Sequence, residues 1–209
     1  MNRIDTVIFD IGNVLTKFDW DGFIHGILDD PQAIAEVEEA IWGHGLWDEL
    51  DRGIIPEEDI LSGFIGYAPH REREIRLMWE NIGGCITRSD HAIPWIQSIK
   101  DVERRVLYLS NYSRRIRAAN PEALDFLPLM DGGVFSCDVR LLKPDRAIYA
   151  LLCETYNLTP SRCVFIDDLA ANVQGARDFG LHAVQCKSYS QAREEVEALL
   201  AGDSLRSSG

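Results

Sequence analysis

The stretch Thr6-Val7-Ile8-Phe9-Asp10-Ile11-Gly12-Asn13-Val14-Leu15 decides how the rest of the chain is read. Its first four residues form a short uncharged run, which suits a strand buried on both faces of a parallel sheet. The run stops at a carboxylate followed by glycine and asparagine. In an open parallel sheet, ligands bind beyond the carboxyl ends of the strands, so an aspartate there is a candidate for chemistry. Similar runs recur at Val106 to Leu109, Val134 to Phe135, Val164 to Ile166 and Leu181 to Val184. Helix-like stretches separate them at Arg114 to Ala119, Asp145 to Tyr156 and Ala170 to Phe179, the last followed by Gly180 at a C-cap position. This alternation implies an α/β fold with a doubly wound parallel sheet.

The long gap after the first strand breaks the pattern. Trp20 to Asn81 carries helical periodicity and no convincing strand, with Pro31 and Pro56 where helices would begin. Phe23, Ile24 and Ile27 make one apolar face, Ile34, Val37, Ala40 and Ile41 another, and Ile60, Leu61 and Phe64 a third. The reading is a small all-helical cap inserted at 17–83, between core segments 1–16 and 84–209. The chain returns through Gly83 and Gly84 to a helix at His91 to Lys100. Apart from a Ser-Gly-rich tail after Gly202, no low-complexity tract or repeat occurs.

The 209 residues suffice for one α/β domain with an insert, since domains typically hold about 100 to 200. With 21 basic and 34 acidic residues the formal charge is −13, a field that repels nucleic acid and anionic membranes. An anionic small substrate therefore needs local positive charge at its site. Cys85, Cys137, Cys153, Cys163 and Cys186 include no C-x-x-C pair and are odd in number, which argues against a disulfide framework or structural zinc. They read as buried thiols in a reducing compartment. The N-terminus is too short and acidic in its apolar run for a signal peptide, and no stretch reaches the roughly 20 apolar residues of a membrane span. The expectation is a cytoplasmic protein, a monomer or homodimer.

Four polar groups fall at strand ends or helix starts: Asp10 with Gly12-Asn13, Ser110 with Asn111, Lys143 with Pro144, and the pair Asp167-Asp168. Each alone reads equally as turn or cap chemistry. In this order they form a constellation for phosphoryl transfer. They resemble the four motifs of the haloacid dehalogenase (HAD) superfamily: Phe9-Asp10-Ile11-Gly12-Asn13-Val14-Leu15, then Leu109-Ser110-Asn111, Lys143-Pro144-Asp145 with Ile148-Tyr149, and Phe165-Ile166-Asp167-Asp168 with Asn172. The resemblance runs from Thr6 to about Val184. In more detail it is similar to phosphatases with a helical cap after the first motif, among them the α-D-glucose-1-phosphate phosphatase and soluble epoxide hydrolase N-terminal phosphatase groups.

The resemblance implies roles. Asp10 attacks phosphorus and forms an aspartyl-phosphate. One Mg²⁺ is held by the Asp10 carboxylate, the Gly12 backbone carbonyl and the Asp168 carboxylate, with Asp167 acting through water or an orienting hydrogen bond. Lys143 offers a point charge to nucleophile and phosphoryl oxygens, while Ser110 and Asn111 donate hydrogen bonds. The implied substrate is a small phosphomonoester, with sugar phosphates as the first candidates.

One departure stands out. Most phosphatases of the superfamily carry a second aspartate two positions after the nucleophile, where this chain has Gly12. Asp19 and Asp21 are the available substitutes for the missing acid/base, and read equally well as surface residues near a helix N-terminus. Without such a group, catalysis should favour substrates with stable leaving anions. Trp42, Trp47 and Trp79 read as core packing or a pocket lining, His44 and His70 as surface or capping residues, and Arg52 as exposed or reaching a substrate. Two further functions fit the same motifs: a metal-independent 2-haloacid dehalogenase, against which the paired acids Asp167-Asp168 argue, and a non-catalytic HAD-like ligand-binding protein.

Overall fold

A computed structural model describes residues 3–202; the tail after Gly202 lies outside the described residues. The chain opens with β1 (Thr6–Phe9), fully buried, followed by a turn and a short strand β2 (Thr16–Phe18). Five helices come next: α1 (Trp20–His25), α2 (Pro31–Trp42), α3 (Leu46–Arg52), α4 (Glu57–Tyr67) and α5 (Glu72–Asn81). The chain returns through β3 (Ile86–Arg88), α6 (Ala92–Asp101), β4 (Arg105–Ser110), α7 (Arg114–Ala119), β5 (Gly133–Phe135) and α8 (Ser136–Val139). It ends with α9 (Arg146–Tyr156), β6 (Cys163–Asp167), α10 (Ala170–Phe179), β7 (His182–Gln185) and α11 (Tyr189–Gly202).

Five strands form one all-parallel sheet in the order β5-β4-β1-β6-β7, as the alternation of runs predicts. Alternate residues enter different packing layers, because side chains along a strand point to opposite faces. Val7, Phe9, Val106, Val164 and Ile166 pack with Trp95 and Ile96 of α6 and Ala192 and Val196 of α11. Ile8, Leu107, Leu109 and Phe165 pack with Ile148, Tyr149 and Leu152 of α9 and Ala176 of α10. Helices on both faces explain why the interiors of the central strands are mostly apolar. The first layer continues without a break into the inserted helices, through Ile24, Val37, Ile41, Ile60, Phe64 and Ile75.

The insert is all-helical from Trp20 to Asn81, with local signals where they were expected. Asp30 caps α2 through a bond from the Gln32 amide, Pro31 occupies its first turn, and Pro56 precedes α4. Two elements differ from the expectation. Thr16–Phe18 and Ile86–Arg88 pair as an antiparallel ribbon that straddles the anticipated boundaries near 16 and 84. With three residues each, these strands carry no readable period. Gly83 and Gly84 lie in a 3₁₀ turn, and a Cβ on Gly83 would come within 2.9 Å of the Ala119 backbone.

Candidate active site

The sheet order puts the chemistry together. β1 lies between β4 and β6, and Phe9 is in register with Tyr108 and Ile166. Asp10 is therefore level with Asp167, and Ser110 stands one residue beyond it on the other side. The Asp10 amide extends the ladder by donating to the Ile166 carbonyl at 2.8 Å.

Lys143 reaches this point from the loop before α9. Its ammonium lies 2.8 Å from Asp10 Oδ1 and 2.6 Å from Asp167 Oδ2, and its side chain is only 1% exposed. Two buried carboxylates thus share one cation. Burial pushes Asp10 up to about 7, against the pull of Lys143. Burial works against the lysine charge too, but Asp10 and Asp167 outweigh it and hold the amine above its ordinary value. Asp168 is half-buried, and desolvation raises it against a hydrogen bond from Asn13. Oxygens of Asp10, Asp167 and Asp168 lie within 4.8 Å of one another. The excess negative charge and all-oxygen donors fit a hard divalent cation such as Mg²⁺.

The surrounding bonds separate the roles. Asp167 is fully buried and its oxygens are taken by Lys143, the Leu169 amide at 2.8 Å and Asn172 Nδ2 at 3.0 and 3.1 Å. Asp167 is thereby fixed in place by groups of the protein itself. Asp168 is held by Asn13, whose Nδ2 donates at 3.1 Å while its Oδ1 accepts from the Phe18 amide. Asn13 adopts φ 54°, left-handed backbone that asparagine tolerates better than most residues. Asn111 exchanges two bonds with the Lys143 backbone, accepting at 2.9 Å and donating at 3.1 Å, so it first of all positions the lysine loop. Among the described residues, Ser110 Oγ is buried without a hydrogen-bond partner of normal geometry, though near enough to Asp10 to favour its charged form.

These groups form the floor of a pocket of about 280 Å³, to which Asp10, Gly12, Asn111, Lys143 and Asp168 all contribute. Phe18, Trp42, Trp47, Asp48 and Asp51 line it from the ribbon and the inserted helices. Trp42 and Trp47 rings lie 4.4 Å apart, and each contacts Phe18 and Trp20 edge-on. Two of the three tryptophans thus do line the pocket, whereas Trp79 is buried against Phe64 and Arg115.

Asp19 is not among the lining residues. It caps α1 through the Gly22 amide and pairs with Lys17 at 2.6 Å, and these bonds hold its carboxyl below the ordinary range. Asp21 is exposed and sits 3.4 Å from His25. Arg52 is engaged with Glu49, His70 with Glu36, and His44 stacks on Tyr67. All five cysteines are free and buried.

Asp51, like Phe18 and Asp48, lines the pocket although the sequence did not single it out. In Leu50-Asp51-Arg52-Gly53 it reads as one more acid on a charged helix end. Gly53 has φ 69°, and a Cβ there would come within 2.7 Å of the Cys137 carbonyl.

A family model for haloacid dehalogenase-like hydrolases matches residues 4–180. Phosphatase MT3486 of Mycobacterium tuberculosis is 25% identical over 206 residues, covering 92% of each chain. Mouse acyl-CoA dehydrogenase family member 10 is 32% identical over 108 residues, and mouse bifunctional epoxide hydrolase 2 is 36% identical over 62. The chain spans about a tenth of the length of these two mouse proteins, 10% and 11%. Among solved structures, a HAD family enzyme of Bacteroides thetaiotaomicron crystallised with magnesium and inorganic phosphate superposes with TM-score 0.70 at 16% identity, covering 90% of this chain and 98% of that one. L-2-haloacid dehalogenase of Xanthobacter autotrophicus gives TM-score 0.60 at 17% identity, covering 94% and 84%. At these identities the structures establish the shared fold.

Proposed function

The chain belongs to the haloacid dehalogenase-like hydrolases, and from that premise we propose that it is a Mg²⁺-dependent phosphatase acting on a small phosphomonoester through an aspartyl-phosphate on Asp10. The observation that carries this reading is the cluster of Asp10, Asp167 and Asp168 around the single ammonium of Lys143. Two adjacent acids beside the nucleophile suit a site that takes up a divalent cation, and would repel a haloacid carboxylate. Asp10, the Gly12 carbonyl and Asp168 would hold Mg²⁺, and Asp167 orients Lys143. When bound, the ion neutralises charge on the phosphoryl group and on the nucleophile.

The chain's own groups account for the rest. Asp10 provides the attacking oxygen, Lys143 offsets charge at both reacting partners, and the Ser110 hydroxyl, which stands beside Asp10, donates to a phosphoryl oxygen. Residues 17–83 act as a cap whose Trp42 and Trp47 side suits the C–H face of a ring, which makes sugar phosphates the first candidates. A pocket of about 280 Å³ accommodates a small metabolite.

The test is a panel of phosphomonoesters assayed with Mg²⁺ and with excess chelator. Mg²⁺-dependent hydrolysis that disappears in Asp10→Asn, with the melting transition retained, is the expected result. The likeness to a haloacid dehalogenase structure supports a second reading. Release of halide from 2-haloacids that persists in chelator, without phosphatase activity, would establish it instead.

A further inference from the structure

We propose that Asp51, carried by the inserted helix α3, protonates the leaving oxygen and then deprotonates the attacking water, supplying the acid/base group missing at Gly12. This role rests on the phosphatase reading above. It starts from placement: Asp51 lines the same pocket as Asp10, Lys143 and Asp168, but comes from the inserted helix α3 and not from the sheet. A leaving group bonded to a phosphoryl group on Asp10 extends away from the strand ends, into the space that the insert's residues share.

The last turn of α3 is tied to the core at several points. The Asp51 carbonyl accepts a 2.6 Å bond from Ser136 Oγ, and Ser136 Oγ in turn accepts from the Tyr112 amide at 2.9 Å. The Ser113 amide lies close enough to the Asp51 carboxyl to favour its charged form. Tyr112 and Ser113 directly follow Ser110 and Asn111, so Asp51 is registered to the loop that serves the phosphoryl site. Close docking depends on Gly53, where any side chain would strike the Cys137 carbonyl. Arg114 adds a bond to the Gly53 carbonyl at 3.2 Å.

The surroundings also favour a carboxyl that keeps its proton. Asp51 retains some contact with solvent, yet burial of its carboxyl, reinforced by the negative charges of Asp48 and Asp10, pushes it up to about 8 against the pull of Lys143. Among the other titratable groups near it, Cys85, Tyr112 and Cys137 are held neutral by burial, while the Arg114 guanidinium is engaged with the Gly53 carbonyl and Asp138. Asp19 has the opposite character, being held ionised by Lys17 and Gly22.

The steps balance. An Asp10 oxygen bonds to phosphorus, the ester P–O bond breaks, and the leaving oxygen takes the Asp51 proton and departs as an alcohol. The Asp51 carboxylate then takes a proton from water, whose oxygen bonds to phosphorus as the Asp10–phosphorus bond breaks. Phosphate leaves, Asp10 is again a carboxylate and Asp51 again an acid. One ester and one water become one alcohol and one phosphate.

The experiment compares wild type and Asp51→Asn, at saturating Mg²⁺, on a series from p-nitrophenyl phosphate through phenyl phosphate to hexyl phosphate. In the variant, kcat/KM for hexyl phosphate should fall by about 10²- to 10⁴-fold and that for p-nitrophenyl phosphate by less than about 10-fold. A plot against leaving-group pKa should therefore be shallow in wild type and steep in the variant. Asp51→Ser should repeat the pattern, and melting curves check that both variants fold. Gly12 faces open space, with nothing within 4 Å of where a Cβ would stand, so Gly12→Asp added to Asp51→Asn should restore much of the lost activity toward hexyl phosphate. An equal loss across the series, or none, would overturn the role of Asp51 while leaving the phosphatase reading intact. Failure of wild type to hydrolyse any member, with or without Mg²⁺, would overturn that reading and this role with it.

Discussion

Lys143 balances two buried carboxylates with one ammonium, and in the proposed reaction it offers the same ammonium to the phosphoryl group. Replacing it with methionine leaves Asp10 and Asp167 buried without a cation. Removing one partner from a buried pair typically costs about 3–5 kcal/mol, far more than an exposed pair would. Lys143→Met should therefore melt well below wild type and lose turnover. Added Mg²⁺ should raise its melting temperature more than that of wild type, since the ion then offsets charge the lysine no longer covers; an equal shift in both proteins would show that the lysine and the metal do not share this charge. Asp10, Ser110, Lys143 and the Asp167-Asp168 pair were legible in the sequence because each follows a strand or opens a helix, positions that the fold class fixes in advance. Asn13 was visible only as part of a motif, and its grip on Asp168 depends on left-handed backbone that no residue pattern announces. Asp51 was illegible for a different reason: its local sequence describes a solvated helix end, and its environment comes from Asp10, Lys143 and Ser113, which are remote along the chain.

Elements were legible in proportion to their length and periodicity. β1, α7 and α10 begin and end where their sequence patterns do, and β4, β5 and β6 extend the expected runs by a residue or two. The ribbon of β2 and β3 was missed because three residues cannot establish alternation, and α8 because four residues make a single turn. α11 was missed although Ala192, Val196 and Leu200 form one apolar row four residues apart; that row is narrow, and charged residues surround it. The junction between α3 and α8 is where one residue controls how two elements meet. Gly53→Ala should strain a left-handed position and push α3 off the Cys137 carbonyl, at a cost of roughly 1–3 kcal/mol. Measured KM should rise while the sheet core, followed by hydrogen exchange of β1 and β6, stays protected; protection lost throughout would mean that the insert and the sheet do not separate in this way. Within the insert, Glu36 ties α2 to Arg71 and His70, and the Arg71 bond leads Gln32 and His70 in pulling its carboxyl down to about 2. A carboxyl depressed by folding stabilises above its unfolded value and ceases to do so as pH falls through its folded one. The melting temperature of wild type should thus drop further between pH 5 and pH 2 than that of Glu36→Gln, and parallel curves would exclude the network as a contributor.

At the scale of the whole molecule, the formal charge of −13 opposes the proposed anionic substrate. No helix among the described residues is long and apolar enough to cross a membrane, and the charge acts on any solute that approaches the pocket. Among the described residues, Lys143 is the only cationic side chain lining that pocket, and it is already shared by two carboxylates. At close range a bound divalent cation would offset most of the pocket's negative charge, but beyond the pocket mouth the net acidic charge of the chain prevails. Salt separates the two ranges, because the screening length is about 30 Å at 0.01 M and 10 Å at 0.1 M. Raising NaCl from about 10 to 150 mM at saturating Mg²⁺ should therefore increase kcat/KM for p-nitrophenyl phosphate by about 2- to 5-fold. Whether association or chemistry limits the rate matters little, since the long-range potential sets the substrate concentration at the pocket in either case. Phosphocholine provides the internal comparison: its ammonium cancels part of the phosphate charge, so its kcat/KM should respond less. A decrease with salt for p-nitrophenyl phosphate would mean that attraction at the metal-loaded site already dominates at long range, and equal responses of the two substrates would mean that salt acts on the protein rather than on the approach of charge.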